Sequence, residues 1–320
     1  MAIELQQLRQ LIALAEHRSF VRAAAVLHMS QPALSRSIQN IERRFGSELF
    51  ARTSAGVTPT DLGRLYIERS RDLLRMAEDL ERDVAHHGAL RTGRVTVGGG
   101  PFTSESLLGR AAARFAEHFP GVSVQVHARN WDELLRQLRS RELDFFVAET
   151  STLHREPDLE LVRMGSSHAG YFVARAGHPL AGRRGIQAAD VFAWPFVAPG
   201  RIPPRVLDPL LAVQRSASPR GQLPRAFPAI ECSALAPLKR ILANSDAISA
   251  SILSCVSTEL ESGTFALLGT EPWLHLEYGV VSLKDRPATQ AAEKFREFVM
   301  EAEVEACAEE ERLVERFAPR

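Results

Sequence analysis

The chain of 320 residues is poor in lysine and in cysteine. Three lysines stand against 36 arginines, an imbalance that we attribute to genome composition and not to function. The three cysteines (Cys232, Cys255 and Cys307) are too few and too scattered for a disulfide framework, which favours a reducing, cytoplasmic location. No run of about 18 apolar residues occurs, so no membrane span is expected. Glu4 stands where a signal peptide would begin its apolar block.

The formal net charge is zero, but the charge is unevenly distributed. Residues 1–60 contain seven arginines and four glutamates, whereas residues 300–311 contain six glutamates and no basic residue. This asymmetry favours a DNA-binding head on a neutral body, and the length predicts two or three domains. Because the positive surplus of the head is small, one head should bind DNA weakly and dimerisation should be needed.

The residues from Ser30 to Gly46 have the pattern of one amphipathic helix. Ser30 is a good N-cap, Pro32 is tolerated in the first turn, and Gly46 suits the position after the last turn. An apolar stripe is expected to face inward and consists of Leu34, Ile38, Ile41 and Phe45. The opposite face carries Pro32, Arg36, Gln39 and Arg43, with Ser35 beside it. Together with Ser30 and Gln31 at the start of the helix, these residues are expected to reach base edges or phosphates. A solvated polar face on an ordinary helical hairpin is the alternative.

The flanking segments favour a winged helix-turn-helix. An apolar helix precedes this hairpin, Ser19 can cap its first helix, and Leu49–Phe50 and Val57–Thr58 predict a short β-wing. The motif positions are Phe20, Ala23–Ala24, Leu27, the run Ser30–Gln31–Pro32–Ala33–Leu34–Ser35, Ile38, Glu42, Gly46, Leu49–Phe50, Arg52, Thr58 and Gly63. On these positions, residues 3–63 resemble the N-terminal domain of LysR-type transcriptional regulators. The resemblance implies binding to double-stranded promoter DNA. It departs at Ala55–Gly56, where the family often has basic residues, so Arg52 is the wing residue expected to contact phosphate.

A long helix is predicted from a cap at Thr60 to about residue 87. Its apolar stripe consists of Leu62, Tyr66, Leu73, Met76, Leu80 and Val84. A helix spanning roughly 40 Å cannot bury such a stripe within a small head, so it should pair with a copy of itself, with Arg69 interrupting the seam. Docking on its own C-terminal domain is the alternative. The resemblance implies a homodimer through this linker helix, two dimers on one promoter as a homotetramer, and RNA polymerase as a candidate partner. His86–His87 is interpreted as a solvated helix end and not as a metal site.

Residues 91–300 predict an α/β fold with a parallel sheet, because strands such as Val95–Val97 and Leu143–Ala148 alternate with helices. The chain should cross between two lobes near residues 150–166 and 265–275. Lobe I then comprises about residues 91–162 and 268–300, and lobe II about residues 163–267. Residues 301–320 are predicted to form an acidic helical tail, which is interpreted as a solvated extension. Residues 94–300 resemble the periplasmic-binding-protein-like effector domain of the same family, carried by Leu143–Ala148, Gly177–Leu180 and Ser245–Ile248.

Ligands in such folds bind beyond the carboxyl ends of strands, between the lobes. Thr103 and Ser104 are predicted to cap a helix whose N-terminus favours an anion, and Arg201 can pair with a carboxylate. The candidate ligand residues are Gly100, Thr103, Ser104, Asn130, Thr150, Gly200, Arg201 and Ser233. Structural capping, and a plain surface role for Arg201, are the alternatives. His178 is interpreted as a turn residue, and Cys232 and Cys255 as small core residues.

The sequence thus predicts an α+β multidomain protein: an N-terminal winged helix-turn-helix (1–60), a linker helix (61–90) and a two-lobed effector domain (91–300). We expect a sequence-specific transcriptional regulator that senses a small, anionic metabolite. A regulator that needs no ligand, and an α/β enzyme with a DNA-binding anchor, remain alternatives. No catalytic order of residues, metal spacing or cofactor loop supports the enzyme, so no cofactor is expected.

Overall fold

The computed structural model describes residues 4–53, 56–85, 92–151, 153–154, 156–217 and 226–318. The chain divides into two compact units, Met1–His87 and Gly88–Arg320, which we call the head and the body. Some predicted positions lie outside the described residues, namely Ala55, His86–His87 and the side chains of Arg52 and Val84.

The head is a winged helix-turn-helix, as predicted. Its elements are α1 (Leu5–His17), α2 (Phe20–Val26), α3 (Gln31–Phe45), β1 (Phe50–Thr53), β2 (Gly56–Pro59) and α4 (Asp61–Ala85). Ser19 and Ser30 cap α2 and α3, since their hydroxyls accept the backbone N–H of Arg22 and Ala33 at 3.5 and 3.4 Å. The strands form an antiparallel wing. The head core is made by Leu11, Leu14, Ala23, Ala24, Leu34, Ile38, Ile41, Leu49, Phe50, Val57 and Ile67.

The C-terminal end of α3 differs in one respect from the prediction. Gly46 ends the helix with a left-handed φ of 65°, as expected. Phe45, predicted to face inward, is instead 41% exposed and packs edge-on against Tyr66 at a ring distance of 4.9 Å. The prediction was wrong because Phe45 meets α4, which was not placed beside α3 from sequence alone.

Helix α4 has two different apolar faces. Thr60 caps it, because its hydroxyl accepts the N–H of Gly63 at 3.0 Å. Ile67 and Leu74 are buried in the head. A separate line remains exposed and consists of Leu62, Leu65, Leu73, Met76 and Leu80. Within the described ranges, no helix is long and apolar enough to cross a membrane.

The body is built on an eight-stranded sheet in the order β4-β3-β5-β10-β6-β9-β7-β8. Its strands are β3 (Gly93–Gly99), β4 (Val122–Ala128), β5 (Phe145–Glu149), β6 (Leu159–Arg175), β7 (Phe196–Pro199), β8 (Ile230–Cys232), β9 (Ile248–Ile252) and β10 (Phe265–Leu283). The two long strands, β6 and β10, pair antiparallel along most of their length and join the two halves of the sheet. β5 pairs with one end of β10, and β9 pairs with the opposite end of this ladder.

Helices cover the sheet, and the sheet is mixed where a parallel one was predicted. The helical segments are α5 (Pro101–Thr103), a π-helical segment (Ser104–Leu108), α6 (Gly109–His118), α7 (Trp131–Arg139), α8 (Ala188–Val191), α9 (Pro204–Ala217), α10 (Leu235–Ala243), a 3-10 turn (Leu253–Cys255), α11 (Ser257–Glu261) and α12 (Gln290–Phe317). β3 is parallel to β4 and β5, and β7 is parallel to β8 and β9, but β6 and β10 run antiparallel. The prediction erred because the sequence showed only one end of each long strand.

The acidic C-terminal segment is not a solvated extension. Helix α12 continues without a break to Phe317 and buries Ala302, Ala306 and Leu313 in the body core. Arg110 and Arg114 of α6 form ion pairs with Glu309 and Glu305. The glutamates of this segment were misinterpreted because their partners lie far away in the chain.

Candidate functional site

The outer face of α3 presents the polar side chains that the sequence predicted. Arg36, Gln39 and Arg43 are exposed, and Ser35 is half-buried beside them. Ser30, Gln31 and Pro32, also predicted, are exposed at the N-terminal end of the same helix. Among the described residues, the Arg36 side chain forms no hydrogen bond or ion pair, so its guanidinium group is exposed without a protein partner.

Arg43 is held more firmly than Arg36. Its guanidinium group donates to the side chain of Asn40 and, through Nε, to the carbonyl of Gln39 at 3.4 Å. The Arg43 side chain is therefore more restricted than that of Arg36.

The inner side of α3 is fixed by polar contacts as well as by its apolar stripe. Ser37 donates to Gln10, a buried residue of α1. The Glu42 carboxylate accepts the backbone N–H groups of Leu49 and Phe50 at 2.8 and 3.1 Å, which ties α3 to the start of the wing. The wing backbone places Arg52 of β1 opposite Val57 of β2. These contacts fix the orientation of α3 relative to α1 and the wing.

The body contains a cavity between the two halves of the sheet, with an empty volume of about 930 Å³ that is partly open to solvent. Its wall is formed by the helix that begins after β3, the N-terminus of α7, the loop after β7, helix α9, and strands β6, β9 and β10. The lining residues are Gly100, Pro101, Phe102, Thr103, Asn130, Trp131, Ala148, Glu149, Gly170, Phe196, Pro199, Arg201, Ile202, Pro203, Val206, Leu210, Ala250, Ser251, Ile252, Leu274, Leu276 and Tyr278.

The cavity wall is mainly apolar, and two of its lining residues are charged. Glu149 lies on the inner wall, where its carboxylate is 3.6 Å from Arg205 Nε and accepts the N–H of Ser151 at 3.1 Å. Arg201 lies at the mouth, where its side chain is 61% exposed and its Nη1 is 3.1 Å from Asp132 Oδ2. Each of the two charged lining residues therefore has a partner of opposite charge, and the Arg201 pair is the more exposed of the two.

Half of the eight predicted ligand residues line this cavity. They are Gly100, Thr103, Asn130 and Arg201. The other four are absent from the lining that the described residues form: Ser104, Thr150, Gly200 and Ser233. Ser233 is exposed, and Thr150 is buried against Gly279.

The predicted capping role of Thr103 and Ser104 was wrong. The helix begins at Pro101, with Gly100 at the N-cap, because proline at the first helical position needs no N–H partner. Thr103 therefore lies inside the first turn, where its hydroxyl donates to the carbonyl of Val147 at 2.9 Å. The Ser104 hydroxyl is buried without a hydrogen-bond partner among the described residues.

Gly200 acts next to the cavity by allowing a close approach. It has a left-handed φ of 71°, and a Cβ there would overlap Asn130 Oδ1. The following N–H, that of Arg201, donates to the same oxygen at 3.1 Å. Asn130 and Arg201 are thus in contact at the mouth of the cavity.

Sequence reasoning missed most of the apolar lining. Leu274, Leu276 and Tyr278 alternate along β10, and this period of two is a strand signal that could have identified them. Trp131 and Phe196 carry no such signal, because their side chains meet only when the two halves of the sheet are assembled.

Two family descriptions match the chain. "Bacterial regulatory helix-turn-helix protein, lysR family" matches residues 5–64, and "LysR substrate binding domain" matches residues 88–303. The chain belongs to the LysR family of transcriptional regulators. A relative from Pseudomonas sp. (strain ATCC 19151), named "SDS degradation transcriptional activation protein", is 38% identical over 303 residues, which are 93% of this chain and 96% of the relative.

Solved structures of LysR regulators share the fold. CbnR in complex with its target DNA superposes with a TM-score of 0.65 at 20% identity, covering 94% of this chain and all of that one. A full-length OxyR variant from Pseudomonas aeruginosa superposes with a TM-score of 0.62 at 19% identity, covering 94% of this chain and 95% of that one. This LysR protein is therefore a DNA-binding transcriptional regulator with a substrate-binding domain, and the enzyme alternative is excluded by its family.

Proposed function

We propose that the effector of this regulator is an amphipathic organic anion whose apolar chain fills the body cavity and whose acidic group lies at the mouth beside Arg201. The apolar wall of the cavity is the observation that carries the proposal. A small, strongly polar metabolite would lose much of its hydration against apolar residues such as Trp131, Phe196 and Leu276, and few polar side chains line the cavity to replace it. An alkyl chain gains free energy from the same wall.

The charges at the cavity support an anion over a cation. Glu149 is paired with Arg205 in a largely buried position, whereas the Arg201–Asp132 pair is exposed, and water weakens it, so Arg201 can also bind an anionic ligand. A sulfate or carboxylate group would accept a forked pair of hydrogen bonds from this guanidinium. The Pseudomonas relative is named for SDS degradation, and SDS itself is a long alkyl chain with an anionic sulfate.

A chain-length series tests the proposal directly. Alkyl sulfates of increasing length, kept below their micellar concentrations, should bind the full-length protein with a gain of about 0.8 kcal/mol per buried methylene. That gain corresponds to about a fourfold lower Kd per methylene until the cavity is full. Calorimetric affinities that are independent of chain length would contradict an apolar site.

The charge at the mouth is tested separately. Arg201→Gln should weaken binding of an alkyl sulfate while leaving the matching alkyl alcohol unaffected. Arg215→Gln, an exposed change of the same charge in α9, is the control and should change neither affinity. Equal losses of affinity for the sulfate and the alcohol would show that Arg201 contributes through the shape of the site and not through its charge.

We further propose that α3 reads DNA through the face predicted from sequence. Its contacts to bases or phosphates would come from Ser30, Gln31, Pro32, Ser35, Arg36, Gln39 and Arg43, with Arg52 of the wing on phosphate. All of these residues before the wing are exposed except Ser35, which is half-buried, and this exposure supports the assignment. Base contacts by Arg36 would specify sequence, and the remaining polar side chains would fix the register of the helix on the duplex.

The oligomer is proposed to form through the exposed line on α4. Leu62, Leu65, Leu73, Met76 and Leu80 follow one another at spacings of three, eight, three and four, so they share one face of α4 that a second copy of α4 can bury. Two heads then bind two half-sites. We also propose that two dimers bind one promoter and that the protein contacts RNA polymerase. It would act in the cytoplasm, where bacterial promoters lie.

A regulator that needs no ligand is the remaining alternative. It is favoured if promoter occupancy in the cell is unchanged by an alkyl sulfate that binds the purified protein.

A further inference from the structure

A buried cluster of titratable side chains joins the centre of β6 to α12. His168 of β6 is fully buried, and so is Glu303 of α12. The His168 ring contacts Glu303 Oε1 through Nε2 at 3.0 Å and Glu310 Oε2 through Nδ1 at 2.9 Å. Neither the DNA-reading face nor the proposed effector contact uses this cluster.

Cys307 completes a set of donor atoms on the same side of α12. It follows Glu303 by four residues, so both side chains lie on one face of the helix. One ligand atom from each of His168, Glu303 and Cys307 lies within 4.8 Å of the other two. The second carboxylate oxygen of Glu303, Oε2, is buried without a hydrogen-bond partner among the described residues. A buried, unpaired carboxylate oxygen is costly unless something binds it.

We propose that His168, Glu303 and Cys307 bind a zinc-type divalent metal ion, with Glu310 as a positioning residue behind the histidine. The imidazole Nε2, a Glu303 oxygen and the Cys307 thiolate are the three ligands. Glu310 accepts the Nδ1–H of His168, which fixes the tautomer that leaves Nε2 free to bind metal. Water fills the fourth position of a tetrahedron.

The three ligand atoms lie within 4.8 Å of one another, so a limited side-chain adjustment would bring them around a small metal ion. Zinc lies about 2.0–2.1 Å from nitrogen, 2.0–2.2 Å from oxygen and 2.3 Å from sulfur, which places tetrahedral ligand atoms roughly 3.3–3.6 Å apart. The observed separation of 3.0 Å between His168 Nε2 and Glu303 Oε1 needs only a small opening to reach that range. The mixed nitrogen, oxygen and sulfur ligands select zinc or cobalt over magnesium or calcium, which prefer all-oxygen sites.

Two carboxylates, those of Glu303 and Glu310, contact the imidazole ring of His168 at 3.0 and 2.9 Å, so the cluster attracts positive charge. A metal ion bound there would also satisfy Glu303 Oε2.

The metal site lies next to the effector cavity. Tyr278, which lines the cavity, has its ring 5.0 Å from the ring of His168. Gly170, also in the lining, lies two residues after His168 on β6. A metal ion that joins α12 to β6 therefore stiffens one wall of the cavity.

Cobalt titration of the full-length, tag-free protein tests the site. After removal of metal with a chelator, Co²⁺ should produce the visible bands of a tetrahedral ion and the near-ultraviolet band of a cobalt–thiolate bond, and Zn²⁺ should abolish both. Cys307→Ser should lose the thiolate band. Cys232→Ser, a second half-buried cysteine, is the control and should keep it. Glu310→Gln should weaken binding by about 10–100-fold.

Several outcomes would overturn the proposal. One is the absence of stoichiometric cobalt or zinc binding to the chelator-treated protein. Another is an unchanged thiolate band in Cys307→Ser, or its loss in Cys232→Ser. Because Cys307→Ser is a conservative change at a half-buried position, circular dichroism of that variant shows whether the fold is kept.

Discussion

The side-chain oxygen of Asn130 accepts a hydrogen bond from the backbone N–H of Arg201 at 3.1 Å. The Arg201 guanidinium group reaches back to Asp132, in the first turn of α7, at 3.1 Å. These contacts join the N-terminus of α7 to the loop after β7 across the mouth of the cavity. An acidic group that binds Arg201 would therefore act on the link between the two halves of the body.

Asn130→Ala should loosen this link. Loss of one hydrogen bond costs about 0.5–1.5 kcal/mol, which corresponds to about 2- to 10-fold weaker binding of an alkyl sulfate by calorimetry. Asn130 makes no side-chain cap hydrogen bond to α7, so the helix itself should be unaffected. Asn244→Ala, at the end of α10, is the control. Equal affinities for Asn130→Ala and wild type would show that the link does not contribute.

Arg36→Ala should weaken binding to the preferred duplex by about 1–3 kcal/mol if Arg36 contacts a base edge in a bidentate manner. The loss should be smaller on duplexes altered at the contacted base pair, as measured by fluorescence anisotropy at one salt concentration. Arg240→Ala, an exposed position in the body, removes the same charge and serves as the control. An equal loss on every duplex would instead identify Arg36 as a phosphate contact.

The exposed line on α4 predicts the effect of charge on oligomerisation. Leu73→Glu and Met76→Glu each place a carboxylate in the proposed seam, and together they should convert the dimer to a monomer in analytical ultracentrifugation. The double variant should also lose most of its DNA affinity, because one head carries few phosphate contacts. Glu68→Lys changes the charge of α4 at an exposed position away from the line and should leave the dimer intact. Double variants that remain dimeric would place the interface elsewhere.

Gly63→Ala should destabilise the head. A Cβ at this position would overlap the carbonyl oxygen of Leu49, a backbone atom that cannot move without distorting the wing. Overpacking of this kind costs about 1–3 kcal/mol, which urea denaturation of the full-length protein should detect. Gly109→Ala is the control, because its nearest neighbouring atom would be 3.5 Å away. Equal effects of the two substitutions would contradict the close approach.

The head could be predicted from the sequence because its signals are local. The Ser30 cap, the left-handed Gly46 and the apolar stripe of α3 lie within one helix and its ends. In the body, the alternation of strands and helices was also readable. The start of the helix after β3 was predicted a few residues too late. Gly100 is the N-cap and Pro101 the first helical residue, so Thr103 lies inside the first turn and does not cap it.

The cavity and the C-terminal helix could not be predicted, because they depend on distant pairings. Leu274 lines the cavity only because β10 lies beside β6, in a ladder interrupted by bulges that no local pattern reveals. Glu303 looked like one of several solvated acids. Its burial is decided by His168, which lies 135 residues earlier in the chain.

The most direct test of a ligand-responsive regulator is a DNase I footprint of the full-length protein on a duplex selected from a random library, with and without a saturating alkyl sulfate. The footprint should be present in both conditions, and its length or its pattern of hypersensitive cleavage should change when the effector fills the cavity. A footprint that is identical in both conditions, while calorimetry shows the effector bound, would contradict the coupling between the body cavity and the DNA-reading heads.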